Sequence, residues 1–423
     1  MLAIVPRDRL FWLVAMNART VWWILLATPA FAQTYDLILR GGRVIDPANG
    51  VDRAMDVAVA QGRIARLAES IPAAEARKTL DVTGLYVTAG LIDLHAHVYG
   101  YSGSLFPDDT ALPAGTTTVV DAGGAGWRRF DDMKIKIIDR SETRVLVLLN
   151  IAGMGMLGSR VEDDVSDMDP EATAAKITQY REHIVGIKTA HFSGQGWTAI
   201  RRAIDAGRLA GVPVMIDDKI FTNTGRTTRE KLLDVMRPGD LHTHTFNDRQ
   251  LELVDRFTGK LQPYVWEARR RGVLFDLGHG GGSFLWPVAA KALEQGFAPD
   301  TISTDLHASS ILGPQSDMPN CISKMMTLGM PLEDAILRST VNPAKAIRRF
   351  PELGTLGEGR VADIGAFRLR DGVFAFQDAW GMKRMGKKKL ECVLTVRGGK
   401  LVYDRDGLGF PEWRAAGEYT VIP

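Results

Sequence analysis

Two styles of hydrophobic patterning divide the chain. From residue 35 to about residue 86, short apolar runs alternate with glycine-containing turns, and the same style returns from about residue 363. Small strands of this kind cannot bury both faces alone. We therefore expect the two ends, residues 33–87 and 354–423, to pair into one small antiparallel β-sandwich domain.

The middle of the chain predicts repeated βα units, because strand-length apolar runs alternate with stretches of helical periodicity. The predicted strands end near His97, Ala122, Ile151, His191, Asp218, Phe246, His279 and Asp305. No glycine-rich dinucleotide-binding loop favours an open, doubly wound sheet. The sequence therefore predicts an α/β fold with a (β/α)8 TIM barrel over residues 88–353.

The first 32 residues have the pattern of a secretory signal peptide. Arg19 precedes the apolar residues 21–26, and Ala30, Phe31 and Ala32 resemble a cleavage site. We expect a mature chain that begins at Gln33 in the periplasm or outside the cell, with Met16 as an alternative start. An uncleaved interfacial anchor is the alternative. Charged residues interrupt the apolar stretch before it reaches the roughly 18 residues of a membrane span.

Charge and cysteine content narrow the possible partners. The chain has 52 basic and 50 acidic residues, mixed along its length, and this balance indicates no nucleic-acid partner. Cys321 and Cys392 lie in different predicted domains, so we expect free, buried thiols. A small-molecule substrate is the expected partner, and assembly into a homo-oligomer stays open.

Two histidines are the strongest chemical signal. His95 and His97 end the apolar strand that begins near Val87, and alternate residues of a strand point to the same side. They can therefore hold one metal ion, although such a pair by itself is often two ordinary histidines. Their predicted place at the carboxyl end of a barrel strand, where such barrels carry their chemistry, favours the metal site.

Other polar residues also fall at predicted strand ends. Lys188 has apolar neighbours on both sides, and its simplest interpretation is a salt bridge to a core carboxylate. His244 and His279 end two more strands, and each alone is more often a satisfied polar residue than a ligand. Asp305 closes the last strand, where an acid opposite a metal pair can act as general base for a bound water.

Together these motifs resemble the amidohydrolase superfamily, and within it the dihydroorotase-like amidohydrolase/deacetylase metallohydrolases. The matching stretches are residues 36–46, 90–97, 186–188, 238–244, 278–284, 302–305, 342–344 and 362–364. The resemblance extends over nearly the whole chain after the predicted signal peptide.

The resemblance implies a centre of two divalent ions, usually zinc. His95 and His97 would bind the more buried ion, and a CO2-derived carbamate on Lys188 would bridge both ions. Carboxylation would turn a costly buried cation into an anion between two cations. The resemblance also implies that His244 is a ligand. A metal-bound hydroxide would attack the scissile carbonyl, while Asp305, itself at most a weak ligand of the metal, would transfer the proton.

One position departs from the family pattern. Members commonly have a histidine ligand at the end of the fifth strand, where this chain has Asp217. Asp217 can ligate through oxygen and favour a metal other than zinc, or the site can hold a looser second ion or a single ion. His191 and His307 are candidates to replace the missing imidazole or to bind substrate, and His279 is a further substrate-binding candidate.

The resemblance implies a metal-dependent hydrolase of amide C–N bonds, either a deacylase or a cyclic amidase, and the signal-peptide pattern predicts that it is exported. An esterase of acylated hydroxy acids is the alternative, because the same hydroxide attacks either carbonyl. A non-catalytic binding barrel is a third reading, which the retained site residues disfavour. Loop arginines that can clamp a substrate carboxylate are Arg128, Arg129, Arg160 and Arg226.

Overall fold

The computed structural model describes residues 34–217, 224–247, 253–255 and 257–415. The predicted signal peptide of residues 1–32, the alternative start Met16 and the predicted first mature residue Gln33 lie outside these residues, as does Asp218. Within the described ranges, no helix is long and apolar enough to cross a membrane.

The described residues form strands throughout the chain. The strands are β1 Tyr35–Asp46, β2 Val51–Ala60, β3 Arg63–Ala68, β4 Ala76–Asp81, β5 Tyr86–Ala89, β6 Leu91–Ala96, β7 Thr116–Gly126, β8 Arg144–Asn150, β9 Ile184–Ala190, β10 Val214–Asp217, β11 Leu241–His242, β12 Leu274–Phe275, β13 Ile364–Gln377, β14 Lys383–Arg397 and β15 Lys400–Asp404.

Helices occupy mainly the region between β6 and β13. The α-helices are α1 Pro107–Thr110, α2 Phe130–Lys136, α3 Ser159–Glu162, α4 Pro170–Gln179, α5 Thr198–Ala210, α6 Thr228–Glu230, α7 Pro263–Arg270, α8 Trp286–Glu294, α9 Ala308–Leu312, α10 Met318–Thr327, α11 Leu332–Ser339 and α12 Val341–Ala346. Short 3-10 turns lie at Ala73–Glu75, Leu112–Ala114, Ile138–Arg140, Val165–Asp167 and Trp413–Ala415, and a π-helical turn lies at Lys231–Val235.

One sheet combines strands from both ends of the described chain. Its order is β15-β14-β13-β5-β1-β2-β3, with β4 beside β1. The antiparallel pair of β13 with β5 joins the two ends, and they share a hydrophobic core that includes Leu39, Val57, Val87 and Val393. The sequence predicted antiparallel strands throughout, but β1 pairs in parallel with β4 and β5. After β3 the chain crosses back to β1, so that β4 and β5 run in the same direction as β1.

The other sheet is parallel and curled, in the order β6-β7-β8-β9-β10-β11-β12. The segment 301–306, which we call the closing segment, makes parallel bridges from Thr301 to Asp276 and from Leu306 to Ala96. It therefore contacts both edges of this sheet. The α/β class is confirmed, with seven regular parallel strands plus the closing segment where the sequence predicts eight strands.

Two strands end earlier than the sequence predicts. β11 ends at His242 rather than near Phe246, and β12 ends at Phe275 rather than near His279. His244 has φ of 60° and Gly278 has φ of 47°, so the backbone leaves the extended region just after each strand. Sequence periodicity does not report such a change of backbone conformation.

A buried ion-pair network connects the two sheets. Asp363, which directly precedes β13, accepts hydrogen bonds from Arg144 of β8 and from Arg397 of β14, the latter at 3.2 Å. It also accepts a bond of 2.8 Å from the amide of Gly398. Only 8% of the Asp363 side chain is accessible, so both guanidinium groups depend on a carboxylate that water hardly reaches.

Replacement of Asp363 by alanine is expected to lower the free energy of unfolding by about 3–5 kcal/mol, because it leaves two mostly buried cations without their partner. Urea denaturation measures this change. The control is Asp371→Ala, which removes an exposed pair with Lys388 and is expected to cost less than about 1 kcal/mol. Equal effects of the two variants would contradict the buried role of Asp363.

Candidate metal centre

The predicted site residues meet at the carboxyl end of the parallel sheet, because all parallel strands have their carboxyl ends on the same side. In chain order, these residues are His95, His97, Lys188, Asp217, His244 and Asp305. All six side chains are largely buried: Asp305 is the most accessible, at 13%, and Lys188 is fully buried.

Imidazole nitrogens surround the carboxylate of Asp305. Its Oδ1 lies 2.8 Å from Nε2 of His97 and 3.4 Å from Nε2 of His95. His95, His244 and Asp305 each offer a ligand atom within 4.8 Å of the other two. Zinc bonds of 2.0–2.1 Å in a tetrahedron hold ligand atoms roughly 3.3 Å apart. The donor types and their spacing therefore fit a divalent metal ion.

A hydrogen-bond chain fixes the orientation of His95. The hydroxyl of Thr243 donates to Asp276 at 2.8 Å, and Nδ1 of His95 lies 2.9 Å from the same hydroxyl. Because the hydroxyl proton is already engaged, Nδ1 of His95 is the donor, and its Nε2 presents a lone pair to the cluster. Burial and the nearby Lys188 lower the pKa of His95 to about 4, so the ring is neutral.

Asp305 is ionised in this environment. Burial acts to raise its pKa, but the neighbouring His95 and His97 outweigh burial and hold the pKa well below its usual range. Gly280 has φ of 54° and packs directly against this carboxylate, since a Cβ there would lie 2.2 Å from Oδ2 of Asp305. The carboxylate is therefore held in place from both sides.

Lys188 is completely buried at the centre of the cluster. Its Nζ lies 3.0 Å from Nε2 of His95 and 3.5 Å from Oδ2 of Asp217. Gly123 leaves space for the stem of the lysine, because a Cβ at Gly123 would lie 2.8 Å from its Cγ. The core carboxylate expected beside Lys188 is thus Asp217, at a distance longer than a direct hydrogen bond.

Two histidines, His244 and His191, face Asp217. Nε2 of His244 lies 3.3 Å from Oδ2 of Asp217, and Nε2 of His191 lies 3.7 Å from the same oxygen. Nδ1 of His191 lies 2.9 Å from the buried carboxylate of Glu162. The cluster therefore has two parts, one around Asp305 and one around Asp217, with Lys188 and His244 near both.

Comparison with known proteins identifies the family of this chain. The model of the amidohydrolase family matches residues 286–402. A deacetylase of Agrobacterium fabrum is 30% identical over 354 residues, which cover 81% of this chain and 84% of the deacetylase. The chain belongs to the amidohydrolase family. The resemblance inferred from the motifs is confirmed, and so is the prediction of an enzyme that hydrolyses C–N bonds.

Solved structures support the same assignment of this amidohydrolase. An adenine deaminase superposes with a TM-score of 0.81 at 28% identity, covering 88% of this chain and all of the deaminase. A dihydroorotase superposes with a TM-score of 0.76 at 27% identity, covering 87% of this chain and 99% of the dihydroorotase. The similarity therefore includes both sheets and the residues between them.

The ring nitrogens of His279 do not face the cluster of this amidohydrolase. Its Nδ1 lies 2.9 Å from the carbonyl of Gly280, and its Nε2 lies 2.8 Å from Nζ of Lys324. The ring also stacks on Phe284, with centroids 4.6 Å apart. Both nitrogens are thus engaged within the protein, and these contacts support the tight turn at Gly280.

His307 and Tyr101 border the cluster. The ring of Tyr101 lies 4.5 Å from that of His97 and 5.4 Å from that of His307, measured between centroids. Burial, and next the carboxylate of Asp305, raise the pKa of Tyr101, so its phenol keeps its proton. The sequence analysis missed Tyr101, although an aromatic residue four positions after His97 was visible.

The loop arginines are mainly occupied by contacts within the protein. Arg226 is buried and donates to the carbonyls of Phe192, Gly194 and Gly196. Arg128 pairs with Asp167 at 2.6 Å. Arg129 stacks on Tyr99, 4.9 Å from the ring centroid, and Arg160 is exposed on α3. Separately, Cys321 and Cys392 are free and buried, as the sequence predicts.

Thr243, Asp276 and Glu162 also escaped the sequence analysis. Asp276 offered a signal, since it is a charged residue in an otherwise apolar strand. It accepts from the hydroxyls of Thr301 and Ser303 at 2.6 Å and 2.8 Å, in addition to Thr243. Glu162 offered no signal, because its partner His191 is 29 residues away.

Replacement of Lys324 by methionine is expected to remove a pH dependence of stability. Burial lowers the pKa of Lys324 from 10.5 to about 8. The unfolded chain therefore binds this proton more tightly, and the native enzyme gains stability as the pH rises above 8. Urea denaturation at pH 7 and pH 10 should show wild type gaining about 2–3 kcal/mol relative to Lys324→Met.

The exposed variant Lys387→Met serves as the control and should follow wild type at both values of pH. An identical pH response of wild type and Lys324→Met would show that the native and unfolded states bind the Lys324 proton equally.

Proposed function

We propose that this amidohydrolase uses divalent metal ions to hydrolyse an amide C–N bond of a small molecule, as a deacylase or a cyclic amidase. The observation that carries this proposal is the convergence of imidazoles, one lysine and two carboxylates on a buried point. The name of the Agrobacterium relative, a deacetylase, favours the deacylase. The name of one structural neighbour, a dihydroorotase, favours the cyclic amidase.

His95 and His97 would hold the more buried ion, with Asp305 beside it as at most a weak ligand, and Lys188 and His244 would lie toward the second. Zinc is the proposed metal, since it accepts nitrogen and oxygen ligands in this number and spacing. A bound divalent ion supplies Lewis acidity, which acidifies water and polarises a carbonyl group.

Asp305 is proposed to move the proton. Its carboxylate is ionised and touches the imidazoles, yet it is the most accessible of the six cluster side chains, so it can reach water at the mouth. It would take a proton from the attacking water and deliver it to the leaving nitrogen. His95 would not serve this role, because its Nε2 lone pair would be bound to the ion and its Nδ1 proton is donated to Thr243.

Lys188 is proposed to carry a CO2-derived carbamate. A fully buried ammonium is costly, and here Nζ faces a nitrogen lone pair of His95 and, at 3.5 Å, Asp217. Reaction of the neutral amine with CO2 forms an N–C bond and releases one proton, which gives an anion. That anion would lie between the two parts of the cluster and bridge two cations.

We also infer that the closing segment acts as the eighth strand of a barrel. On one side the amide of Asp305 donates to the carbonyl of His95 at 2.6 Å, and on the other the amide of His279 donates to Ser303 at 3.3 Å. These bonds support closure of the parallel sheet and the (β/α)8 architecture.

A substrate panel tests the function. Purified protein loaded with zinc would be assayed on N-acyl-D- and N-acyl-L-amino acids, cyclic imides and ureides, adenine and acyl esters. We expect hydrolysis of at least one amide, and we expect Asp305→Asn to lower that rate by roughly 10²- to 10⁴-fold with nearly unchanged metal content. Activity on esters alone, or an unaffected Asp305→Asn, would contradict the proposal.

Replacement of Lys188 by alanine tests the bridging group. The variant should lose activity and part of its metal, because the anion between the ions is gone. A short carboxylic acid such as acetate should restore part of both by filling the space. Metal content is measured by elemental analysis. A fully active Lys188→Ala enzyme with wild-type metal content would exclude a bridging lysine.

A further inference from the structure

We propose that Asp217 and His191 are ligands of one metal ion of the centre, and that Glu162 is the residue that positions His191. This inference rests on the proposed metal-dependent function and extends it to the side of the cluster that lacks the expected strand-end histidine.

Ring nitrogens converge on one oxygen of Asp217. Nδ1 of His244 donates to the carbonyl of Gly278 at 2.7 Å, which leaves Nε2 facing Oδ2 of Asp217, 3.3 Å away. An imidazole nitrogen and a carboxylate oxygen at this separation are the donor types that a shared divalent cation takes.

His191 repeats the arrangement from the other side. Its Nδ1 lies 2.9 Å from Oε2 of Glu162, and Nε2 lies 3.7 Å from the same oxygen of Asp217. A carboxylate accepts and cannot donate, so Nδ1 of His191 is the donor to Glu162 and Nε2 is the atom that faces Asp217. Two histidines thus direct their Nε2 atoms at one carboxylate oxygen.

Glu162 is built to orient a histidine. It is 3% accessible, and its other oxygen accepts the amide of Gly158 at 2.9 Å. A buried carboxylate on the far nitrogen of an imidazole is the usual support of a metal-binding histidine, where it fixes the tautomer and the ring plane. The pair stands at the cluster, since His191 is 25% accessible and its Nε2 faces Asp217.

The backbone supports the same assignment. His191 has φ of 55° and His244 has φ of 60°, a left-handed conformation that is unfavourable for residues other than glycine. Both residues use this conformation directly after or near the end of their strand, which turns the side chain toward Asp217.

The ligand set has a consequence for metal choice. A carboxylate oxygen is a harder ligand, in the hard–soft sense, than the imidazole nitrogen it replaces. The metal position at Asp217 should therefore bind manganese in preference to zinc more strongly than the position beside His95 and His97 does. The two positions should therefore differ in metal preference within one protein.

Elemental analysis of full-length variants tests the inference. Proteins would be loaded with zinc and manganese in equal amounts and freed of loosely bound ions. Wild type should retain about two ions per chain, and His191→Asn and Asp217→Asn about one each, with the loss mainly in manganese. Glu162→Gln should keep the second ion at 10- to 100-fold lower affinity. His183→Asn, at the opposite end of β9 from Lys188, is the matched control and should retain both ions.

A second readout is independent of activity. Cobalt substituted at this position should give an absorption band that changes in His191→Asn and stays as in wild type in His183→Asn. Asp217→His, which keeps a ligand and the fold, should retain two ions and shift the second toward zinc. Wild-type stoichiometry and cobalt spectrum in His191→Asn would overturn the inference, and the same result in Asp217→Asn would exclude Asp217.

These outcomes separate the inference from the proposed function. An enzyme that hydrolyses amides with metal, while His191→Asn keeps both ions, would retain the function and lose the inference. A wild-type protein that binds neither zinc nor manganese would overturn both.

Discussion

The site depends on one contact, the hydrogen bond from the amide of Asp305 to the carbonyl of His95. At 2.6 Å this bond joins the closing segment to the end of β6, and a bond of 3.0 Å from His97 to Leu306 continues the pairing. The proton-transferring acid and the histidine pair are therefore placed side by side by backbone pairing. Buried Asp93 strengthens the junction, since it accepts a 3.0 Å bond from the amide of Thr304. The pairing of the closing segment with β6 therefore sets the distance between Asp305 and the two histidines.

Much of the site could be read from the sequence, for a physical reason. His95, Lys188 and Asp305 interrupt apolar strands, and the carboxyl ends of parallel strands share an edge, so three distant residues could be placed together without a structure. Asp217 was found as a departure from a motif. The position of each residue along its own strand carried this information.

Residues that act through other side chains could not be found in the same way. Thr243 and Glu162 fix the tautomers of histidines that belong to other strands or loops, and ordinary composition surrounds both. The internal contacts of His279 could not be found from the sequence either. Its partner Lys324 lies on α10, and only the fold shows that this pair is internal. Strand ends at β11 and β12 were also missed, because a reversal of φ leaves no hydrophobic signature.

The shared sheet of the two chain ends also constrains how the protein is made. β5 ends at Ala89 and its partner β13 begins at Ile364, so 274 residues separate the two strands. At a synthesis rate of roughly 5–20 residues per second, β5 waits on the order of tens of seconds before β13 exists. During that time the parallel sheet can form while one edge of β5 stays unpaired. The ribosome therefore completes the parallel sheet before it supplies β13, the strand that pairs with the free edge of β5.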